Sequence, residues 1–339
     1  MHVRIAIPDL FWPTEADEIY DSLTVPAMER LVSKGRRRRG PGESLEAWLL
    51  GEFAVDFRDD LPAAPYSLLA DGGEPGAEAW VRADPVHLHL ARDELLVADA
   101  LTFTIAREEA EALVESLNRH FGGDGLMLFP LRPDRWYLRV PEVPALASAP
   151  LASVRGRALA SVLPQGGDAS RWQAIVNEMQ MLLHAHPVNE AREARGEPPV
   201  NSVWLWGAGR LGSATSKHGL RVFADDPLAR GLALAARTPS APLPASADAL
   251  LASGEKSLAL VVLDALRGPA AYGEAGAWHE RLQAIERAWI APLVAAVQAG
   301  AIGMVSLHVP CEASSLHAEL TRQDLRYFWR RARALGDFA

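Results

Sequence analysis

The stretch Asn201-Ser202-Val203-Trp204-Leu205-Trp206-Gly207-Ala208-Gly209-Arg210-Leu211-Gly212 decides how this chain is read. Its apolar run predicts a strand over Val203 to Trp206, and its glycines fit G-x-G-x-x-G, the spacing of a dinucleotide-binding loop. A second strand, Leu220 to Phe223, ends close to Asp225, where a ribose-binding acid would stand. A dinucleotide pyrophosphate needs a helix that starts inside the glycines. Only Ser213 to His218 separate Gly212 from the next turn at Gly219. A crossover helix needs about ten residues or more, so the nicotinamide or flavin reading is set aside.

Outward from this stretch, strands and helices alternate. Val3 to Ile7 is a short apolar strand, followed by a helix from about Val25 to Ser33 with Pro26 in its first turn and Gly35 at its end. Glu43 to Phe53 is a short helix and Trp80 to Leu90 contains a strand. Ala112, Leu113, Leu117 and Phe121 recur at helical spacing within Glu108 to Phe121, and a hairpin follows over Leu126 to Pro130 and Trp136 to Val140. Helices are predicted at Ser170 to His186, Leu228 to Ala236 and Ala247 to Leu251. Leu258 to Leu263 reads as a strand buried on both faces. Trp278 to Val297 is a helix interrupted or kinked at Pro292, and Ile302 to Val309 is the last core strand. This order predicts a three-layer α/β/α sandwich around a mostly parallel sheet, with an inserted α+β cap.

Composition bounds the partners. The 339 residues carry a net charge of -9 and are 49% hydrophobic, enough for a large core. An acidic chain repels phosphate backbones, so nucleic acid is not expected. Arg36-Arg37-Arg38-Arg39 lies between Gly35 and Gly40-Pro41-Gly42 and reads as a solvated loop, since no aromatic or second basic run accompanies it. Leu325 to Arg331 reads as an aromatic, basic helix docked on the core. Cys311 is the single cysteine and fits a reducing cytoplasm. The opening apolar run stops at Pro8, too short for a signal peptide, and no stretch has the length of a membrane span.

Polar residues bracket the deciding strand. His186, Asn189, Arg192 and Asn201 stand where side chains gather at the mouth of an α/β sheet. Arg192 could grip a phosphate or carboxylate in bidentate fashion, with Asn201 hydrogen-bonding it. Equally, the four could form a network that holds the loop. His87 and His89 share one strand face without a third ligand in view and read as packed residues.

His186-Pro187-Val188-Asn189, Arg192 and the run Gly196 to Gly209 resemble a signature of the archaeal-type cofactor-independent phosphoglycerate mutases, of the alkaline phosphatase superfamily. Thr24 to Leu31 resembles that family's first helix. Ser44-Leu45-Glu46-Ala47-Trp48-Leu49-Leu50-Gly51 resembles its nucleophile segment, with Ser44 at the nucleophile position. Arg82-Ala83-Asp84-Pro85 falls where the family re-enters the core, which adds Arg82 and Asp84 to the ligand-binding candidates. The resemblance implies a core of residues 1–102 and 173–339 and a cap of 103–172. It also implies two divalent cations, which activate the serine and neutralise phosphoryl oxygens.

Here the chain departs from the family. The family's central Asp-Glu-Ala-Gly-His falls on Ala270-Ala271-Tyr272-Gly273-Glu274, its next helical Asp near Trp289, and its late Asp-His on Leu307-His308. Asp9, Ser44 and His308 remain of a larger set. Asp264, Glu274 and His279 lie close in sequence, and read better as a strand-end acid with two exposed helix residues than as a metal site. The ending Asp324-Leu325-Arg326-Tyr327-Phe328-Trp329-Arg330-Arg331 resembles that of bacterial RpfE-type regulatory proteins. Together these imply a catalytically degenerate mutase-like protein, cytoplasmic and without a cofactor, that binds a phosphorylated or acidic small molecule or a protein partner. The alternative is an active metal-dependent phosphomutase or phosphohydrolase whose Mn, Mg or Zn is held by rearranged ligands.

Overall fold

The computed structural model describes residues 1–14, 17–57, 60–91, 93–252 and 258–339. Along the chain come β1 (His2–Ala6), α1 (Pro26–Lys34), β2 (Arg36–Arg39), α2 (Leu45–Glu52), α3 (Ala63–Ala70), β3 (Ala79–Ala91), β4 (Glu94–Ala98) and α4 (Arg107–Phe121). The hairpin β5 (Met127–Arg132) and β6 (Arg135–Val140) follows, then α5 (Leu151–Val154), α6 (Leu159–Val162), α7 (Ala169–His184), α8 (Pro187–Ala194) and β7 (Ser202–Arg210). The remainder is β8 (Leu220–Phe223), α9 (Pro227–Ala235), β9 (Ser240–Ala241), α10 (Ala247–Ala252), β10 (Leu258–Val262), α11 (Arg267–Ala271), α12 (Ala275–Ile285), α13 (Ala291–Ala299), β11 (Met304–Val309), β12 (Leu316–Thr321) and α14 (Arg322–Leu325).

These elements form two compact units, Met1–Ala54 with Thr215–Ala339, and Val55–Ala214. The first is built on a seven-stranded sheet of order β2-β12-β11-β1-β10-β8-β9. β11, β1, β10, β8 and β9 run parallel, and β12 and β2 add antiparallel at one edge. Alternation along β1 sends Val3 and Ile5 into a core with Met28 and Leu31 of α1, Leu250 of α10, Trp278 and Leu282 of α12 and Leu293 of α13. Arg4 points to the other face, where it pairs with Glu52 of α2. Helices thus cover both faces of a mostly parallel sheet, as the alternation predicts.

The second unit holds an antiparallel sheet, β4-β3-β6-β5, with β7 also paired to β3. One face packs on α4 and α7 through Leu113, Leu117, Trp172 and Met179. The other meets Ala64 and Leu68 of α3. The division differs from the expected 1–102, 103–172 and 173–339 boundaries. β3 and β7 read from sequence as strands of the main sheet, yet β7 runs antiparallel to β3 from Ser202 to Arg210. Their long mutual ladder draws the flanking segments into the second unit.

Three local expectations change. Arg36–Arg39 is an exposed edge strand paired with β12, not a loop. The helix after Trp278 is interrupted before Pro292, by a wide turn over Glu286–Ile290 that accommodates the missing proline N–H; Pro292 then lies in the first turn of α13. The C-terminal helix is confined to Arg322–Leu325. Phe328 and Trp329 are 84% and 63% exposed, and the residues that dock on the core are Leu335 and Phe338.

Candidate functional site

β7 extends through Gly207 and Gly209, the first two of the three glycines in the G-x-G-x-x-G run, so no helix starts inside them. Gly207 has φ +71°, and a Cβ there would stand 3.1 Å from the Ala63 Cβ. A Cβ on Gly209 would stand 2.5 Å from the Pro62 Cβ. These glycines let α3 and the residue before it lie against β7; they are packing devices.

The polar residues around β7 are engaged within the second unit. Arg192 is 1% exposed; its guanidinium donates to Pro198 O at 2.8 Å, Glu109 Oε2 at 2.6 Å and Thr104 O at 2.9 Å. Asn189 donates to Leu183 O and Val200 O and accepts from Val200 N. Asn201 exchanges both amide bonds with Leu88. His186 caps α8, its Nδ1 accepting from Val188 N. Each of the four fastens backbone, which is the loop-holding arrangement. Arg82 and Asp84, 4% and 1% exposed, form an internal ion pair at 2.6 Å. The Arg82 guanidinium lies over the Tyr137 and Trp206 rings, and Trp206 Nε1 donates to Asp84. His87 and His89 stack, with His87 Nδ1 2.9 Å from Pro199 O.

A different cluster forms in the first unit, at the C-terminal ends of its parallel strands, where α/β sheets carry their sites. β1 delivers Asp9, held at φ +56° while its carbonyl accepts from Trp278 Nε1. β8 leads to Asp226, whose carboxylate caps α9 by accepting from Ala229 N at 2.7 Å. β10 leads to Asp264, whose carbonyl accepts from Arg267 N. Ser44 caps α2, its Oγ accepting from Ala47 N at 3.1 Å, and places Glu46 in the first turn, 4% exposed.

Arg267 stands among these acids. Its Nη1 donates to Glu46 Oε1 at 2.8 Å, and its Nε lies 3.9 Å from Asp9 Oδ2. Burial alone would push the Glu46 carboxyl up; the guanidinium more than reverses this, so Glu46 stays ionised. Burial opposes the charge on Arg267, but Glu46, Asp9 and Asp226 outweigh it and raise its pKa further. Asp226 moves the other way, pushed up to about 6 by burial and then by Asp264 and Glu46. The local charge is therefore negative, with one fixed cation at its centre.

Of the expected metal and catalytic residues, Asp9 and Ser44 lie beside this cluster and Asp264 contributes to its field. His308 has other neighbours: its ring stacks on Trp48 at 4.5 Å and its Nε2 lies 3.2 Å from Glu43 without hydrogen-bond geometry. Burial, then His317, pushes His308 down to about 4, so it is neutral at neutral pH. His279 turns to Ile19 O. Sequence reading missed Glu46, Asp226 and Arg267. The Asp226-Pro227 pair before an apolar helix is a legible cap, whereas nothing local marks Arg267 as buried. Two divalent cations would need the strand-end carboxylates as ligands. Of these, Asp9 faces the Arg267 guanidinium and Asp226 caps α9, and among the described residues no three His, Cys, Asp or Glu side chains form a metal-ligating group. The residues present do not fit a two-cation centre.

No protein-family model matches the chain. It is 28% identical over 180 residues to a probable 2,3-bisphosphoglycerate-independent phosphoglycerate mutase of Geobacter sulfurreducens, covering 51% of this chain and 45% of that protein. To the corresponding mutase of Methanosarcina mazei it is 23% identical over 209 residues, 56% of this chain and 50% of that one. The matches thus span about half the length of these relatives. Among solved structures, the PH0037 protein of Pyrococcus horikoshii superposes with a TM-score of 0.57 at 14% identity over 94% of this chain and 87% of its own. The cofactor-independent phosphoglycerate mutase of Thermoplasma acidophilum superposes with a TM-score of 0.51 at 16% identity over 99% and 93%. The fold is shared with these structures, and the chain is a low-identity relative of the archaeal-type cofactor-independent phosphoglycerate mutases.

Proposed function

We propose that this chain is a phosphoglycerate-mutase-like protein that no longer performs metal-dependent phosphoryl transfer, and that it acts as a regulatory or ligand-binding protein of the RpfE type. The observation that carries this is Arg267, held by Glu46 and Asp9 at the strand ends. Two-metal transfer needs Lewis acids that polarise the phosphoryl oxygens and activate the nucleophile. A guanidinium supplies charge but no vacant coordination site, and it stays charged at any working pH. A divalent cation entering here would have to expel a buried cation from its carboxylate partner, at a cost of about 3–5 kcal/mol for the broken pair. Ser44 has its Oγ turned to the α2 backbone. The net negative cluster around Arg267 does not by itself attract an anion, so a phosphorylated or acidic small molecule as ligand rests on the likeness to the mutases, and cytoplasmic residence suits such a role.

The test is turnover of 3-phosphoglycerate and of a generic phosphate ester, with manganese, magnesium or zinc supplied in excess. The proposal expects rates at background and no difference between the unaltered protein and Ser44→Ala. Turnover that is lost in Ser44→Ala would replace it with an active phosphomutase or phosphohydrolase.

A further inference from the structure

The basic run Arg36–Arg39 gains in the fold the companions it lacks in sequence. The C-terminal segment lies against it, so that Arg36, Arg37, Arg330, Arg331, Arg333 and Trp329 line one open recess. The arrangement is fastened at several points. Arg330 Nη1 donates to Lys34 O at 2.6 Å, Arg333 N donates to Ser33 Oγ at 2.9 Å, and the Arg37 guanidinium lies 4.8 Å from the Phe338 ring centre. Its charge is incompletely answered. Arg36, Arg330 and Arg333 meet Glu319, Asp324 and Asp337. Among the described residues no carboxylate lies at ion-pair distance from Arg37, Arg38 or Arg331. Burial and the neighbouring Arg333 and Arg330 depress the Arg37 pKa, as expected where like charges crowd.

Two further features accompany the charge. β2 is the terminal strand of its sheet, and among the described residues no strand pairs with its outer edge. Phe328 and Trp329 stand exposed beside it, with rings 5.1 Å apart. Arginines on an edge strand guard against edge-to-edge aggregation, but that role does not explain two exposed aromatic rings, which invite contact. Arginine with tryptophan is the composition of an interface hot spot.

We propose that the outer edge of β2, with its arginine rim and the Phe328–Trp329 pair, docks an extended acidic segment of a protein partner by strand addition. Carboxylates on the segment face the arginines, and main-chain pairing to β2 gives the affinity. A peptide fits better than a nucleic-acid strand, because the chain is acidic overall and a long phosphate backbone would leave the patch for repelling surface. The inference does not depend on whether the strand-end cluster is catalytic.

The experiment is fluorescence anisotropy of the full chain with a labelled peptide of alternating glutamate and valine, about ten residues long to span an edge strand. Expected are binding that weakens steeply as salt rises, a loss of about tenfold or more on Arg38→Glu with Arg331→Glu, and a several-fold loss on Trp329→Ala. N-methylation of alternate peptide amides abolishes the binding. Circular dichroism of each variant confirms that the fold persists. Equal binding of a glutamine-for-glutamate peptide, tighter binding of an oligothymidylate strand, or no binding of the acidic peptide at low salt would each overturn the proposal.

Discussion

At the residue scale the account turns on Arg267. Its pair with Glu46 is nearly dry, the two side chains being 11% and 6% exposed. Removing one partner of such a pair leaves a buried charge, so Arg267→Ala should lower stability by about 3–5 kcal/mol in chemical denaturation. Arg267→Met with Glu46→Leu, which removes both charges, should recover most of that loss. Asp226 offers a separate handle. Its pKa is raised to about 6 in the folded chain, so the stability it contributes is present below its ordinary value and is lost as pH rises through 6. His2 and His308, both lowered to about 4, act oppositely and add stability as pH rises over a similar range. A whole-protein pH curve therefore mixes signs, and the comparison must be made on one site. Asp226→Asn keeps a capping oxygen for α9 and should raise the melting temperature above pH 6, the difference fading in acid. Asp9 and Ser44 were legible only through the resemblance, as a remaining metal ligand and the nucleophile position. Arg267 was not, because an arginine five residues after a strand is normally solvated, and only the approach of α2 shows which acid it meets.

At the element scale the deciding stretch changed its meaning while keeping its place. Val203 to Trp206 was readable as a strand, but its partner was not. An apolar run buried on both faces looks alike in a parallel or an antiparallel sheet, and only the β3–β7 ladder distinguishes them. The glycines of that run read only as a dinucleotide-loop spacing that was set aside; the structure shows that they admit the close approach of α3. Gly209→Ala tests this: its methyl would meet Pro62 at 2.5 Å, so it should cost about 1–3 kcal/mol by overpacking. An equal unfolding midpoint for Gly209→Ala would show that α3 yields easily and that the glycine serves something else. β12 escaped sequence reading because Leu316, Ala318 and Leu320 alternate within a short segment that follows a turn. Without it, Arg36–Arg39 had no neighbour and read as a loop.

At the scale of the whole molecule, the mostly parallel sheet was legible from the alternation of strands and helices. The extent of the second unit was not, since long-range antiparallel pairing leaves little local trace. The same holds for the arginine recess, whose two runs lie at opposite ends of the sequence. The fold is shared with a solved mutase, and on the proposed reading the guanidinium at the strand ends is what separates this centre from a metal-dependent one. Calorimetric titration of manganese into the purified protein at neutral pH tests this most directly. The account predicts no saturable heat for the unaltered chain, because Arg267 already answers Glu46 and Asp9, and a gain of binding in Arg267→Ala wherever that variant remains folded. Stoichiometric, saturable manganese binding by the unaltered protein would contradict it.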